Sequence, residues 1–212
     1  MSDIAIFLFS KTVTIAAPWA KAGYLCYCVD IQHQAGERQV GENLILVGAD
    51  VNYWYPPRGN VVFAGAFPPY THLSGSGARW WKQKGLPILG EALELVTRSE
   101  LLLESLDCPY FIENPYGALS THWRKPDYKF DPCDYGGYLD PAGDAYTKIT
   151  HLWTGGGFVM PPKRRVDPVE GSKMHLMSPS ADRADKRSET PRGFAEAVFK
   201  ANDPRLKEKT AS

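Results

Sequence analysis

Four polar side chains in this chain stand at the ends of apolar runs, where a strand would deliver them to an edge. Asp30 closes YLCYCVD, Asp50 follows ENLILVGA, Tyr70 follows the paired prolines of VVFAGAFPPY, and Glu113 closes CPYFIE. A carboxylate accepts two hydrogen bonds at once, so Asp30 is suited to two ribose hydroxyls and Asp50 to an adenine amino group. Together with the turn FSKTVT (9–14), led by Phe9, Ser10, Lys11 and Thr12, they outline a site for a nucleoside-shaped cofactor. Aspartate also begins turns for purely local reasons, and that alternative stays open.

The stretch AFPPYTH (66–72) is the second chemical signal. Two prolines fix the backbone after a strand and hold residue 70 over the sheet edge with little freedom. Glu113, ending another strand, is expected to face the same crevice, where a carboxyl can hold or protonate a heterocycle. The bland alternative makes Tyr70 a half-buried aromatic and Glu113 and Asn114 caps for the next segment. His72 is expected near the same crevice or as a satisfied loop histidine. The other histidines (His33, His122, His151 and His175) show no metal-ligand spacing, and no metal is expected.

The elements that must position these groups read as alternating strands and helices. IAIFLF (4–9) is a continuous apolar run of the kind a strand buried on both faces requires. TIAAPWAKAG reads as a helix with Pro18 in its first turn and Gly23 as its stop. Strands follow at 24–31, 42–50 and 60–66, a helix at 86–106 with Leu89, Leu93 and Val96 on one face, and a strand at 108–114. This pattern predicts an α/β fold with one doubly wound, mostly parallel sheet in a single domain, ligands binding outside the carboxyl ends of its strands. Residues 128–146 are turn-rich, and TKITHLWTGGGFVM (147–160) reads as a hairpin or strand pair around Gly155 to Gly157. The core is thus expected over 1–160, a Pro-rich charged loop over 161–189, and a helix over 190–202 that packs back on the core. In that helix Thr190 reads as N-cap, with Ala195, Val198 and Phe199 on the buried face, and a tail follows over 203–212.

Composition limits the partners. Lys plus Arg is 24 and Asp plus Glu is 24, so no global field attracts a polyanion, and the basic clusters between Lys163 and Lys209 read as a solvated surface or a local basic face. Cys26, Cys28, Cys108 and Cys133 read as buried structural thiols rather than a disulfide framework, as in a reducing cytoplasm. The first residues make a poor signal peptide, and no apolar stretch approaches the ~20 residues of a membrane span.

Five stretches carry a resemblance to a known family: FLFSKTVTIAAPWAKAGYLCYCVDIQH, FAGAFPPYTHLSGSGARWW, PYFIENPYGALSTHWRKPDYKFDPCDYGGYL, KITHLWTGGGFVMP and RSETPRGFAEAVFKAN. In this order, spanning nearly the whole chain, they resemble short phage and prophage proteins related to DNA cytosine methyltransferases. The resemblance implies the S-adenosylmethionine-dependent methyltransferase fold, S-adenosylmethionine as cofactor and DNA as partner, with phage DNA shielded from restriction in the host cytoplasm. It also implies that Asp30 is the acidic residue after the second strand, Asp50 the cofactor-adenine aspartate and Glu113 the base-holding glutamate. Two positions depart from the family. Val13 stands where a glycine lets the backbone approach the cofactor, and Tyr70 stands where the nucleophilic cysteine follows the prolines.

That second departure leaves three readings. Carbon-5 methylation needs a thiolate to add at carbon 6, and a phenol of reference pKa about 10 is a scarcer and harder anion than a thiol near 8.5. The chain is then a cytosine methyltransferase relative with little activity, or an amino-group methyltransferase whose PPY stacks on a flipped base. The third reading is a binding module without chemistry. For the amino-group reading, Phe67 stands where a hydrogen-bond acceptor is wanted. Arg79 and Lys82, beside Trp80 and Trp81, and Arg124 and Lys125, beside Trp123, combine phosphate-seeking charge with stacking rings and are the candidate DNA contacts. Only about 30 residues separate WTGGGF from the last helix, which predicts relaxed sequence preference or a single-stranded substrate.

Overall fold

The computed structural model describes residues 2–73, 81–172 and 189–211. Its centre is one eight-stranded mixed sheet in the order β3-β4-β2-β1-β5-β6-β8-β7. The strands are β1 (Ile4–Leu8), β2 (Leu25–Val29), β3 (Gly36–Gln39), β4 (Leu44–Gly48), β5 (Val61–Ala66), β6 (Tyr110–Asn114), β7 (Tyr128–Phe130) and β8 (Thr150–Gly155). β1 pairs in parallel with both β2 and β5, β2 with β4, and β5 with β6, so the predicted α/β sheet is present and mostly parallel. Only β3 and β8 run against this direction.

Helices cover both faces, which is why the central strands are apolar without alternation. On one face, Ile6, Leu8, Ala64 and Ile112 pack against α2 (Trp81–Glu104) through Ala92, Val96, Leu102 and Leu103. On the other, Phe7, Cys28, Phe63 and Phe111 meet Ile15 and Trp19, in and before α1 (Ala17–Lys21), and Phe194, Ala195 and Val198 of α4 (Arg192–Asn202). A short α3 (Ala118–His122) follows β6, and α5 (Pro204–Ala211) forms most of the tail expected over 203–212. All four cysteines are buried and unpaired, in line with structural thiols. Among the described residues no helix is long and apolar enough to cross a membrane.

Two expectations are corrected, and one strand is additional. The segment 147–160 is not a hairpin: only β8 is a strand, and its partners are β6 and β7. After the glycine turn (Gly156 φ 59°, Gly157 φ 79°) the backbone of Val159 is satisfied by a side chain, donating to Asn202 Oδ1 at 2.8 Å and accepting from its Nδ2 at 2.9 Å. That removes the need for a second strand. Thr190 does not cap α4. Pro191 occupies the N-cap without a side-chain bond, and Asp144 instead accepts the Gly193 N–H at 2.7 Å. Finally, β3 went unforeseen because GERQ is exposed at every position, a charged edge strand with no apolar period to read.

Candidate functional site

Strand order reverses at the β1/β5 boundary: the chain winds outward through β2 and β4 on one side and through β5 and β6 on the other. At such a switch point the loops after the two central strands part, and a crevice opens at their carboxyl ends. Here a cavity of ≈ 240 Å³ is lined by Phe9, Ser10, Lys11 and Thr12 after β1, by Asp30, Ile31 and Gln32 after β2, and by Phe67, Pro69, Tyr70 and Thr71 after β5. Thr190 joins it from the far end of the chain. A second cavity, ≈ 300 Å³, shares Phe9, Ile31 and Pro69 with the first and adds Asp50, Asn52, Glu91 and Glu94.

Backbone bonds hold the walls. The Ser10 N–H donates to Val29 O at 3.1 Å and Phe67 N–H to Leu8 O at 3.1 Å, tying the loops after β1 and β5 to the ends of β2 and β1. Phe9 adopts φ 55°, a conformation that costs a non-glycine residue on the order of 1 kcal/mol. It is kept there because the next residue is fixed three ways: by its N–H, by Ser10 Oγ donating to Thr12 O (2.8 Å), and by His33 Nε2 meeting Ser10 O (3.1 Å). In the sequence His33 shows only the absence of metal-ligand spacing. Its role in bracing this loop depends on a 23-residue return that no local motif announces.

Asp30 is buried, and its Oδ1 accepts the Gln32 N–H at 2.8 Å; Asp50 does the same for Asn52 at 2.9 Å. Both therefore begin turns, as their residue type allows, yet each uses one oxygen for it. Among the described residues the Oδ2 atoms take no partner. Both carboxylates thus keep acceptor capacity at the cavity walls. Tyr70 lies half-buried in the wall of the first cavity, and its loop is held from behind by Asn114 Nδ2, which donates to Pro68 O at 3.0 Å.

The remaining candidates do not join this group. Glu113 lines neither cavity. Strand alternation turns it, with Phe111, toward the α1/α4 face, while Ile112 and Asn114 face α2. Burial pushes its carboxyl above the ordinary range, and Lys148 pulls it back in part. A carboxyl raised in the folded state adds stability in full below the unfolded value near 4.5 and loses it as pH rises through the folded value. Glu113→Gln is therefore expected to raise Tm at pH 8 and to leave it nearly unchanged at pH 4, checked by thermal unfolding across that range. A variant less stable at pH 8 would show that the carboxylate is needed charged.

Arg124 is committed internally. It donates to Asp127 Oδ2 at 2.7 Å and to Thr154 O at 3.2 Å, and it lines a hollow with Glu100, Glu104 and Tyr110 beside the start of β6. That hollow lies at the opposite end of the strands from the crevice, so Arg124 does not join the residues around the two cavities. Lys125 is exposed. Arg79 and the side chain of Lys82 lie outside the described residues. His72 is half-buried and lines neither cavity. Among the described residues no cluster of three or more metal-ligating side chains occurs.

The fold and crevice define a doubly wound α/β protein with a ligand-sized cavity at its switch point. Comparison with protein-family models and with curated proteins finds no match.

Proposed function

We propose that this chain is an S-adenosylmethionine-binding DNA methyltransferase relative, of the cytosine lineage, in which the catalytic loop carries a phenol instead of a thiol. The observation that carries the reading is the sharing of one cavity by the loop after β1, Asp30 and the PPY loop, with Asp50 in the adjoining hollow. Asp30, through its second oxygen, is suited to a ribose hydroxyl pair; Asp50 is suited to the adenine amino group, with Phe9, Ile31 and Pro69 as the apolar walls between them. Among the described residues, Asp30, Asp50, Glu91 and Glu94 outnumber Lys11 around the two cavities. That balance favours a cationic sulfonium ligand over a phosphate-bearing dinucleotide. When bound, the cofactor would supply an electrophilic methyl group.

The nucleophile is the missing part. Cys28 and Cys108 are pushed up to about 12 by burial, Cys26 further still, and Cys133 is raised for the same reason. None of the four lines either cavity. No thiolate is therefore on hand for attack at carbon 6 of cytosine, and Tyr70 fills the position without the chemistry. We infer cofactor binding and DNA contact with little carbon-5 transfer. The test is incubation with labelled S-adenosylmethionine and DNA followed by nucleoside mass spectrometry, with cofactor binding measured alongside. Bound cofactor with at most trace 5-methylcytosine is expected; rapid carbon-5 methylation, or no cofactor binding, would overturn the reading. Methyl on an amino nitrogen would instead favour the stacking role of Tyr70.

A further inference from the structure

Among the described residues, four buried side-chain polar atoms lack a hydrogen-bond partner, and three of them belong to one neighbourhood: Asn114 Oδ1, Ser120 Oγ and His151 Nδ1. Buried orphans are rare enough that each needs a cause. Their convergence follows from register. Asn114 and His151 are direct cross-strand partners of β6 and β8, so their side chains share the α2 face. Trp123 stacks on Trp153 (5.9 Å between centroids, 22°), which lays α3 over β8. One helical turn before Trp123 is Ser120, and one two-residue step before Trp153 is His151. The Tyr116 ring, 5.4 Å from that of His151, closes the group from outside.

The three residues are 1%, 3% and 7% exposed, whereas Tyr116 is 55% exposed. The Asn114 amide is oriented by its bond to Pro68 O, so its Oδ1 is a fixed acceptor directly behind the PPY loop. A hydroxyl and an imidazole nitrogen beside it can each donate. An anion would meet the amide oxygen, and an ammonium group would leave the donors unused. A planar edge with an amine next to an unprotonated ring nitrogen satisfies all three, and Tyr116 offers a ring on which such a base can stack.

We propose that Asn114, Ser120 and His151 form a closed polar subsite for the exocyclic-amine edge of a single-stranded cytosine, uncovered when Tyr116 and α3 lift. This rests on the DNA-binding reading above and gives it a base-holding site separate from Glu113, which lines neither cavity. The closed state leaves polar groups unsatisfied, so it is less stable than an apolar version of itself and is biased toward opening by a fitting ligand.

The experiment compares a labelled single-stranded deoxyoligonucleotide carrying one central cytosine with versions carrying thymine or an abasic residue there. Anisotropy is expected to show at least tenfold tighter binding of the cytosine form, with a change in tryptophan emission as Trp123 leaves Trp153. Ser120→Ala and His151→Phe are each expected to raise Tm by a few degrees and to weaken the cytosine oligonucleotide at least fivefold, leaving the abasic one unchanged. Equal binding of the three oligonucleotides, or stabilised variants that bind cytosine as the wild type does, would overturn the subsite. S-adenosylmethionine titrated in parallel separates the claims: cofactor binding without base discrimination defeats this subsite alone, whereas loss of both defeats the methyltransferase reading.

Discussion

Tyr70→Cys is expected to raise carbon-5 methylation of cytosine in DNA by at least about thirty-fold over the wild type. The lower bound comes from anion supply alone: reference pKa values of about 10 for a phenol and 8.5 for a thiol differ by about 1.5 units, or roughly thirty-fold in the reactive form at neutral pH. Sulfur's greater nucleophilicity toward carbon 6 adds to that factor. The loop should survive the change. Its backbone is pinned by Asn114 Nδ2 to Pro68 O and by the Leu73 N–H to Tyr70 O at 3.0 Å, neither of which uses the side chain of residue 70. Nucleoside mass spectrometry of DNA incubated with labelled cofactor reads the outcome. A variant that binds cofactor and makes no 5-methylcytosine would mean that the base-side machinery is missing too.

Gly193→Ala is expected to lower stability by about 3 kcal/mol, the upper part of the range for overpacking a filled interior, or roughly 6–12 °C in Tm for a chain of this size. An added Cβ at residue 193 would lie 2.3 Å from Tyr135 O, a backbone atom held by its neighbours, and 3.3 Å from Asp144 Oδ2. Neither retreats cheaply, because Asp144 already accepts the Gly193 N–H and Phe194 stacks on Phe130 at 4.0 Å. The same shift would move Thr190 out of the cavity wall, so cofactor affinity should fall along with stability. Urea denaturation and calorimetric titration measure the two effects. Wild-type stability in the variant would show that α4 does not seat against Tyr135.

The parallel half of the sheet was readable because strands covered on both faces must be apolar throughout, and IAIFL and YFI stand out against polar loops. That same property hid the orientation of Glu113. When residues on both faces of β6 are buried, alternation disappears from the sequence, and nothing local tells whether residue 113 or 114 faces the PPY loop. Asp30 and the 9–12 loop were legible because a strand end delivers them directly. Thr190 and His33 were not, since tertiary docking brings one from the far end of the chain and a folded-back loop brings the other. β3 was silent for the opposite reason to β6: an edge strand exposed at every residue has no hydrophobic period at all.

Isothermal titration of S-adenosylmethionine into the wild-type protein and Asp30→Asn, which keeps the Oδ1 that accepts the Gln32 N–H, is the most direct test. The wild type should bind one equivalent, and the variant should bind at least tenfold more weakly while unfolding at nearly the same temperature. Heat changes identical in the two proteins, or no binding by the wild type, would contradict a cofactor seated at the β1/β5 switch point.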